Sequence, residues 1–270
     1  MRKGIKARPH DIEDVMKMNP EMIEIHASSE DLDKEINGHF DVPLAVHLPE
    51  YSGSDLIDPA SLDEEKRYRA VEFYKRAADI SRKWGAQFRG TPKVIMHPGG
   101  WSSESQKISD RLNLYNQFAT SMSDINFNGF DFLVENMPPH PWFFGGQWYC
   151  SIFMDPRECL DYCLGNGWGL CLDLCHAYLW CSYMKMPEKI FDFVKKVKPV
   201  TAHIHISDAR GVDGEGLQIG DGNMPLRELI EMIHKIQIGV VPEIWLGHRE
   251  GFSGFKTAWE RIDAMIPVPA

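Results

Sequence analysis

Seven short apolar runs of this chain each end in a side chain that can bind a proton or a metal ion. His26, His47, His97, Glu135, Asp173, His205 and Glu243 close the runs at residues 22–26, 44–47, 94–97, 132–135, 170–173, 202–205 and 240–243. Acids are rarely buried without a partner. Glu135, Asp173, His205 and Glu243 come from four separate runs. Three carboxylates that converge repel one another and drive at least one pKa upward unless a cation lies among them. A divalent metal ion is the simplest resolution. Oxygen-rich ligation with one imidazole suits Mn²⁺, Mg²⁺, Co²⁺ or Zn²⁺, and the donor set alone does not choose among them. The competing reading makes each acid a separate buried group paired with Arg or Lys, and the coincidence of strand ends weighs against it.

Further polar residues fall on the same pattern. Side chains alternate along a strand, so His203 shares a face with His205, and one of them suffices for the metal while the other hydrogen-bonds within the interior. His26, His47 and His97 add imidazoles to that interior. Glu24 shares the face of His26 and is placed to orient it. Past the last run, His248 and Arg249 lie where many barrels bind phosphate or carboxylate.

The elements that must carry these groups alternate. Strands are expected at 4–8, 22–26, 44–48, 94–97, 132–135, 170–174, 202–206 and 240–245. Helices are expected at 11–18, near 28–31, at 63–84, 104–122, 155–164, 187–196, 225–236 and 253–265. Strands alternating with helices, with no break in composition, predict an α/β chain folded as one (β/α)8 barrel domain over residues 1–270. In such barrels catalytic groups stand at the C-terminal ends of the strands, which is where the polar residues fall.

Composition bounds the partners. With 29 Lys plus Arg against 39 Asp plus Glu, the formal net charge is −10. A chain this acidic repels phosphate backbones, so no nucleic acid is expected. The six cysteines at 150, 159, 163, 171, 175 and 181 lack the paired spacing of a zinc ribbon and read as reduced, packed thiols. The charged start, Met1 to Lys6, precedes no long apolar segment, so neither a signal peptide nor a membrane span is expected, and the location expected is the cytoplasm.

At this point the motifs resemble a known family, the xylose isomerase-like barrels, which include sugar isomerases and epimerases, inosose dehydratases and nucleases of the apurinic-endonuclease type. His47-Leu48-Pro49 resembles the family's His-x-Pro element, and His97-Pro98-Gly99 its His-Pro-Gly turn. Glu135-Asn136 is similar to its Glu-Asn, Asp173-Leu174-Cys175-His176 to its Asp-x-x-His, and His205-Ile206-Ser207-Asp208 to its His-x-x-Asp. The resemblance runs from about Met22 to Phe255. It implies a divalent metal held by Glu135, Asp173, His205 and Glu243, with His176 touching substrate. The nuclease branch carries a further Asp-x-His pair after the seventh strand, but here the loop reads Asp213-Gly214-Glu215. That departure argues against its trinuclear site.

The expected reaction is metal-dependent isomerisation or epimerisation of a carbohydrate by proton abstraction beside a carbonyl, with Glu135 and Glu243 as acid and base. The alternatives are a dehydratase or lyase on a related polyol or keto sugar, an apurinic-endonuclease-like hydrolase, and a non-catalytic binding barrel. The aromatic loop 142–149, with Trp142 and Trp148, reads either as a lid over the apolar face of a sugar or as a contact in a homo-oligomer. Candidate substrate contacts are His47, His97, Trp142, Trp148, His203, Arg210 and His248. Arg210 and the Gly-rich loop 211–222 could cradle an anion, but such a run reads first as a plain flexible loop; it is His248 and Arg249 that point to an anionic sugar.

Overall fold

The computed structural model describes residues 1–102 and 108–267. Eight parallel strands close into a barrel: β1 (Arg2–Ala7), β2 (Met22–His26), β3 (Leu44–His47), β4 (Lys93–Met96), β5 (Asp131–Glu135), β6 (Gly169–Asp173), β7 (Thr201–Ile206) and β8 (Gly239–Pro242). Each strand pairs with its neighbours in chain order, and β1 closes the ring on β8 through Arg2 opposite Gly239 and Lys3 opposite Val240. Two pairs of polar tips stand opposite each other, His26 with His47 and Asp173 with His205, while His47 also pairs with Ile95 and Glu135 with Cys171. The first expected strand is therefore real.

Alternation of side chains divides each strand between two environments. Ile23, Ile25, Val46, Val94, Val134, Leu172, Ile204 and Val240 face outward into the main core beneath the helices. Met22, Ala45, Ile95, Leu133, Cys171 and Val241 form a separate apolar layer inside the barrel. Burying one such aliphatic side chain contributes about 1.5–3 kcal/mol, so both layers hold the ring shut. The inward positions next above this layer are the polar strand tips.

The outer helices are α1 (Ile12–Met16), α2 (Glu64–Gly85), α3 (Ile108–Ser123), α4 (Pro156–Asn166), α5 (Leu174–Tyr183), α6 (Ile190–Val197), α7 (Leu226–Ile233) and α8 (Arg249–Asp263). Asp63 caps α2 by accepting from the amides of Glu65 and Lys66, and Asp155 caps α4 ahead of Pro156. The expected helices need adjusting in places. The acidic segment near 28–31 is a 3₁₀ turn, Glu30–Asp33, too short to bury a helical face. Of the helix expected at 104–122, residues 104–107 lie outside the described residues. An unexpected helix, α5, follows β6 directly, because Leu174, Cys175, Ala177, Tyr178, Leu179 and Cys181 are all buried and leave no one-sided apolar stripe to read. α8 contains left-handed residues at Glu250, Gly251 and Phe252, so its regular part starts near 253, as expected. All six cysteines are buried and free. Among the described residues no helix is long and apolar enough to cross a membrane.

Candidate metal centre

Glu135, Asp173, His205 and Glu243 meet at the top of the barrel, with one ligand atom from each within 4.8 Å of the others. Each side chain is held by one atom and open at the other. Glu135 Oε2 lies 3.1 Å from His47 Nε2. Asp173 Oδ1 caps α5 by accepting from the His176 amide at 2.6 Å. His205 Nε2 is 2.9 Å from Glu24 Oε2, and Glu243 Oε1 accepts from the Lys6 ammonium. The remaining atoms face inward. His205 Nδ1 is 3.3 Å from Glu135 Oε1, 4.0 Å from Asp173 Oδ2 and 2.9 Å from Glu243 Oε2. Glu135 Oε1, His205 Nδ1 and Glu243 Oε2 are buried without a hydrogen-bond partner. Buried polar atoms are normally satisfied, so three facing orphans on a three-carboxylate, one-imidazole set fit a divalent cation.

A second polar layer sets the orientation of the first. Glu24 is fully buried, and its Oε2 also meets His203 Nε2 at 2.8 Å, so one carboxylate fixes both imidazoles of β7. It orients His203 and His205, not His26. Asn136 joins β5 to β6: its amide donates to the Asp173 carbonyl at 2.9 Å and its oxygen accepts from the Asp173 amide at 2.8 Å. His176, in the first turn of α5, has Nδ1 2.9 Å from the Asn136 carbonyl, an acceptor, so Nδ1 carries a proton and Nε2 is left toward the cavity.

Without an ion the charges settle unevenly. Burial opposes ionisation of Glu135, yet His205, His47 and His97 hold it well below the ordinary carboxylate range. Burial also opposes Glu243, and Lys6 and His205 outweigh it. Asp173 is pushed up to about 6 by burial, with Glu135 and Glu243 adding repulsion. Burial disfavours the charged form of His205, but Cys171, Glu24, Glu135 and Glu243 raise it well above the usual imidazole value. Against the same effect of burial, Asp173, Glu135 and Glu215 raise His176 to about 9.

The centre opens into a cavity of about 690 Å³ lined among others by His26, Glu50, Tyr51, His97, Trp142, Asp173, His176, Glu215, Glu243 and His248. Trp142 lies on a small hairpin, Trp142–Phe143 against Gly146–Gln147, that crosses the mouth. Phe144 packs edge-on against Tyr51 with ring centres 5.4 Å apart, and Gln147 Nε2 reaches Asp213 Oδ2 at 3.3 Å on the far side. His97 follows β4 in a turn fixed by Asp58, which accepts from the Gly100 amide at 2.8 Å.

Four expected substrate contacts lie elsewhere. His47 is buried below the cavity against Glu135, and His203 is buried against Glu24. Trp148 lines a separate cavity of about 360 Å³ with Trp101 and Phe144. Arg210 donates to the Asp221 carbonyl. The Gly-rich loop is not an open anion cradle, because the Asp208 carboxylate already accepts from the amides of Gly220, Gly222 and Met224. Sequence reasoning missed Lys6, Glu50 and Glu215. Glu50 lies 3.5 Å from His97 Nδ1, itself a buried orphan. Glu215 lies 3.8 Å from His176 Nε2, and burial, with Asp173, Glu50 and Glu243 nearby, pushes its carboxyl up to about 7. Two signals could have found them: Lys6 holds an inward position of an alternating strand, and Glu215 stands where an Asp-x-His pair would place its imidazole. Glu50 carries no such mark.

Comparison with known proteins places these features. Residues 7–261 match the family model described as the xylose isomerase-like TIM barrel. The uncharacterized protein MJ1311 of Methanocaldococcus jannaschii is 26% identical over 212 residues, 75% of this chain, and the match spans 64% of that protein's length. Among solved structures, a D-tagatose 3-epimerase-like protein is 22% identical with a TM-score of 0.68, covering 98% of each chain. Endonuclease IV of Thermus thermophilus is 13% identical with the same TM-score of 0.68, covering 98% of this chain and 100% of its own. At these identities the likeness to solved structures is one of fold.

Proposed function

Because the chain belongs to the xylose isomerase-like TIM-barrel family, we propose that it is a divalent-metal-dependent isomerase or epimerase of a small carbohydrate, acting by proton abstraction beside a carbonyl. The observation that carries this reading is the half-held, half-open state of Glu135, Asp173, His205 and Glu243. When bound there, a divalent ion supplies Lewis-acid stabilisation of the negative charge that builds on substrate oxygens as the proton leaves. Glu135 and Glu243, both kept ionised, stand on either side to take a proton from carbon and return it. His176 donates a hydrogen bond from Nε2 to a substrate oxygen. Trp142, Tyr51 and Phe143 cover the apolar face of the sugar and exclude water.

One observation favours a second reading, a phosphodiester hydrolase of the apurinic-endonuclease type. Glu135 Oε2 also faces His97 Nε2 at 3.6 Å, and Glu135, His47 and His97 are themselves spaced to hold an ion, so one carboxylate stands between two candidate positions. The acidic net charge counts against it.

Elemental mass spectrometry on protein purified without chelator separates the readings. About one equivalent of divalent metal, lost in Asp173→Asn, is expected for a mononuclear enolising centre. Two or more equivalents of zinc would favour the hydrolase. No metal in either protein after soaking with Mn²⁺, Co²⁺ or Zn²⁺ would overturn the proposal and leave a non-catalytic binding barrel.

A further inference from the structure

Lys6 projects from β1 into the barrel and is buried. Among the described residues it is the only lysine or arginine within ion-pair range of the candidate ligands. A buried ammonium is expensive unless it is fully paired. This one faces three acceptors: Glu243 Oε1 in direct contact, Glu24 Oε1 at 3.3 Å and His26 Nδ1 at 3.4 Å. An ammonium has three N–H donors and no acceptor: two are spent on Glu243 Oε1 and His26 Nδ1, and Glu24 Oε1 is held as an ion pair without a hydrogen bond. Because Lys6 can only donate, His26 Nδ1 must accept, and the proton of the neutral ring sits on Nε2. That nitrogen points toward the cavity, 3.8 Å from Glu50 Oε1.

Resting on the metal-dependent reading above, we propose that Lys6 is a positioning residue with two outputs. It holds Glu243 by one oxygen so that a single oxygen faces the ion, and it sets the tautomer of His26 so that Nε2–H is presented to substrate. The same ammonium ties Glu243 to Glu24, the carboxylate that orients His205, so two of the four candidate ligands are fixed through one side chain. In its absence the buried Glu24 and the partly buried Glu243 face each other with no cation between them, and Glu243 would be free to turn and offer both oxygens.

Titration with Co²⁺, followed by visible absorption, tests this on the full chain. In Lys6→Met the affinity is expected to fall by about tenfold, the lower end for residues that hold a metal ligand. The Co²⁺ band should also lose intensity as Glu243 adds a second oxygen and the coordination number rises. In a Glu243→Gln background the same change should cost clearly less than in the wild type, since the part that acts through Glu243 is already gone and only the part through Glu24 and His205 remains. Equal losses in both backgrounds would make Lys6 a general structural residue and overturn the proposal, as would a Lys6→Met protein with wild-type affinity and spectrum. Should Lys6→Met fail to fold, a crystal structure of the Co²⁺-loaded wild type decides. One oxygen of Glu243 on the ion and the other on Lys6 supports the assignment, and two on the ion refutes it. Wild-type protein that takes up no Co²⁺ would overturn the metal reading itself. Normal uptake with a silent Lys6→Met would overturn only the role of Lys6.

Discussion

The imidazole of His205 is held at Nε2 by Glu24 and leaves Nδ1 to the open centre. Its pKa is raised well above the imidazole value and that of Asp173 to about 6, and both must shed protons before they can bind a cation. Metal affinity is therefore expected to rise with pH across neutrality, with proton release on binding. A dissociation constant for Co²⁺ that stays flat with pH would contradict the ligand assignment. The metal-free fold should show the opposite trend. The stabilisation from His176 is complete below its unfolded value of 6.5 and is lost as pH rises through about 9, so metal-free protein should melt at lower temperature toward alkaline pH. Within the proposed reaction Glu135 matters most, and Glu135→Gln should abolish turnover in a ketose panel while circular dichroism stays unchanged. Normal turnover by that variant would remove the acid–base assignment. At this scale the four-residue group was legible because each member ends an apolar run. Lys6 is harder to read despite its inward position, since a lysine near a chain start passes for a solvated charge. Glu50 sits in a bend, and Glu215 on a short ribbon, Asp208–Arg210 against Gly214–Leu217, that folds back after β7; the local sequence does not say which way either turns.

Among the elements, the turns after the strands decide where the tips point. Gly99 adopts φ +83, and a Cβ there would lie 2.2 Å from Asp58 Oδ1, the oxygen that also accepts from the Gly100 amide. Gly99→Ala is expected to cost about 1–3 kcal/mol through the left-handed conformation alone. It should lower the melting temperature by several degrees and displace His97, as thermal denaturation and a structure of the variant would show. An unchanged melting temperature would mean that Asp58 does not hold this turn. Gly216, at φ +67, meets the same limit against Trp245 and keeps Glu215 in line with His176. Strand and helix alternation was readable from periodicity, which is why the barrel emerged. α5 escaped because a helix buried on nearly every side carries no period, and it is α5 whose first turn aims His176.

For the whole molecule, charge separates the two functional readings. A net charge of −10 should prevent retention of duplex DNA carrying an abasic site at roughly physiological salt. Fluorescence anisotropy showing tight, salt-sensitive binding would restore the hydrolase. The closure of the ring carries a separate consequence, for synthesis on the ribosome. β1 is made before the rest of the barrel, yet one of its two edges pairs only with β8, and Trp259 of α8 bonds the Gly4 carbonyl at 2.9 Å. At about 5–20 residues per second, that edge waits roughly 10–50 s for its partner. During that interval an unpaired edge is a template for another chain. Until then the Lys3 and Lys6 ammoniums that pair with Asp263 and Glu243 in the finished barrel leave that strand charged, and charge on an edge disfavours pairing with another chain.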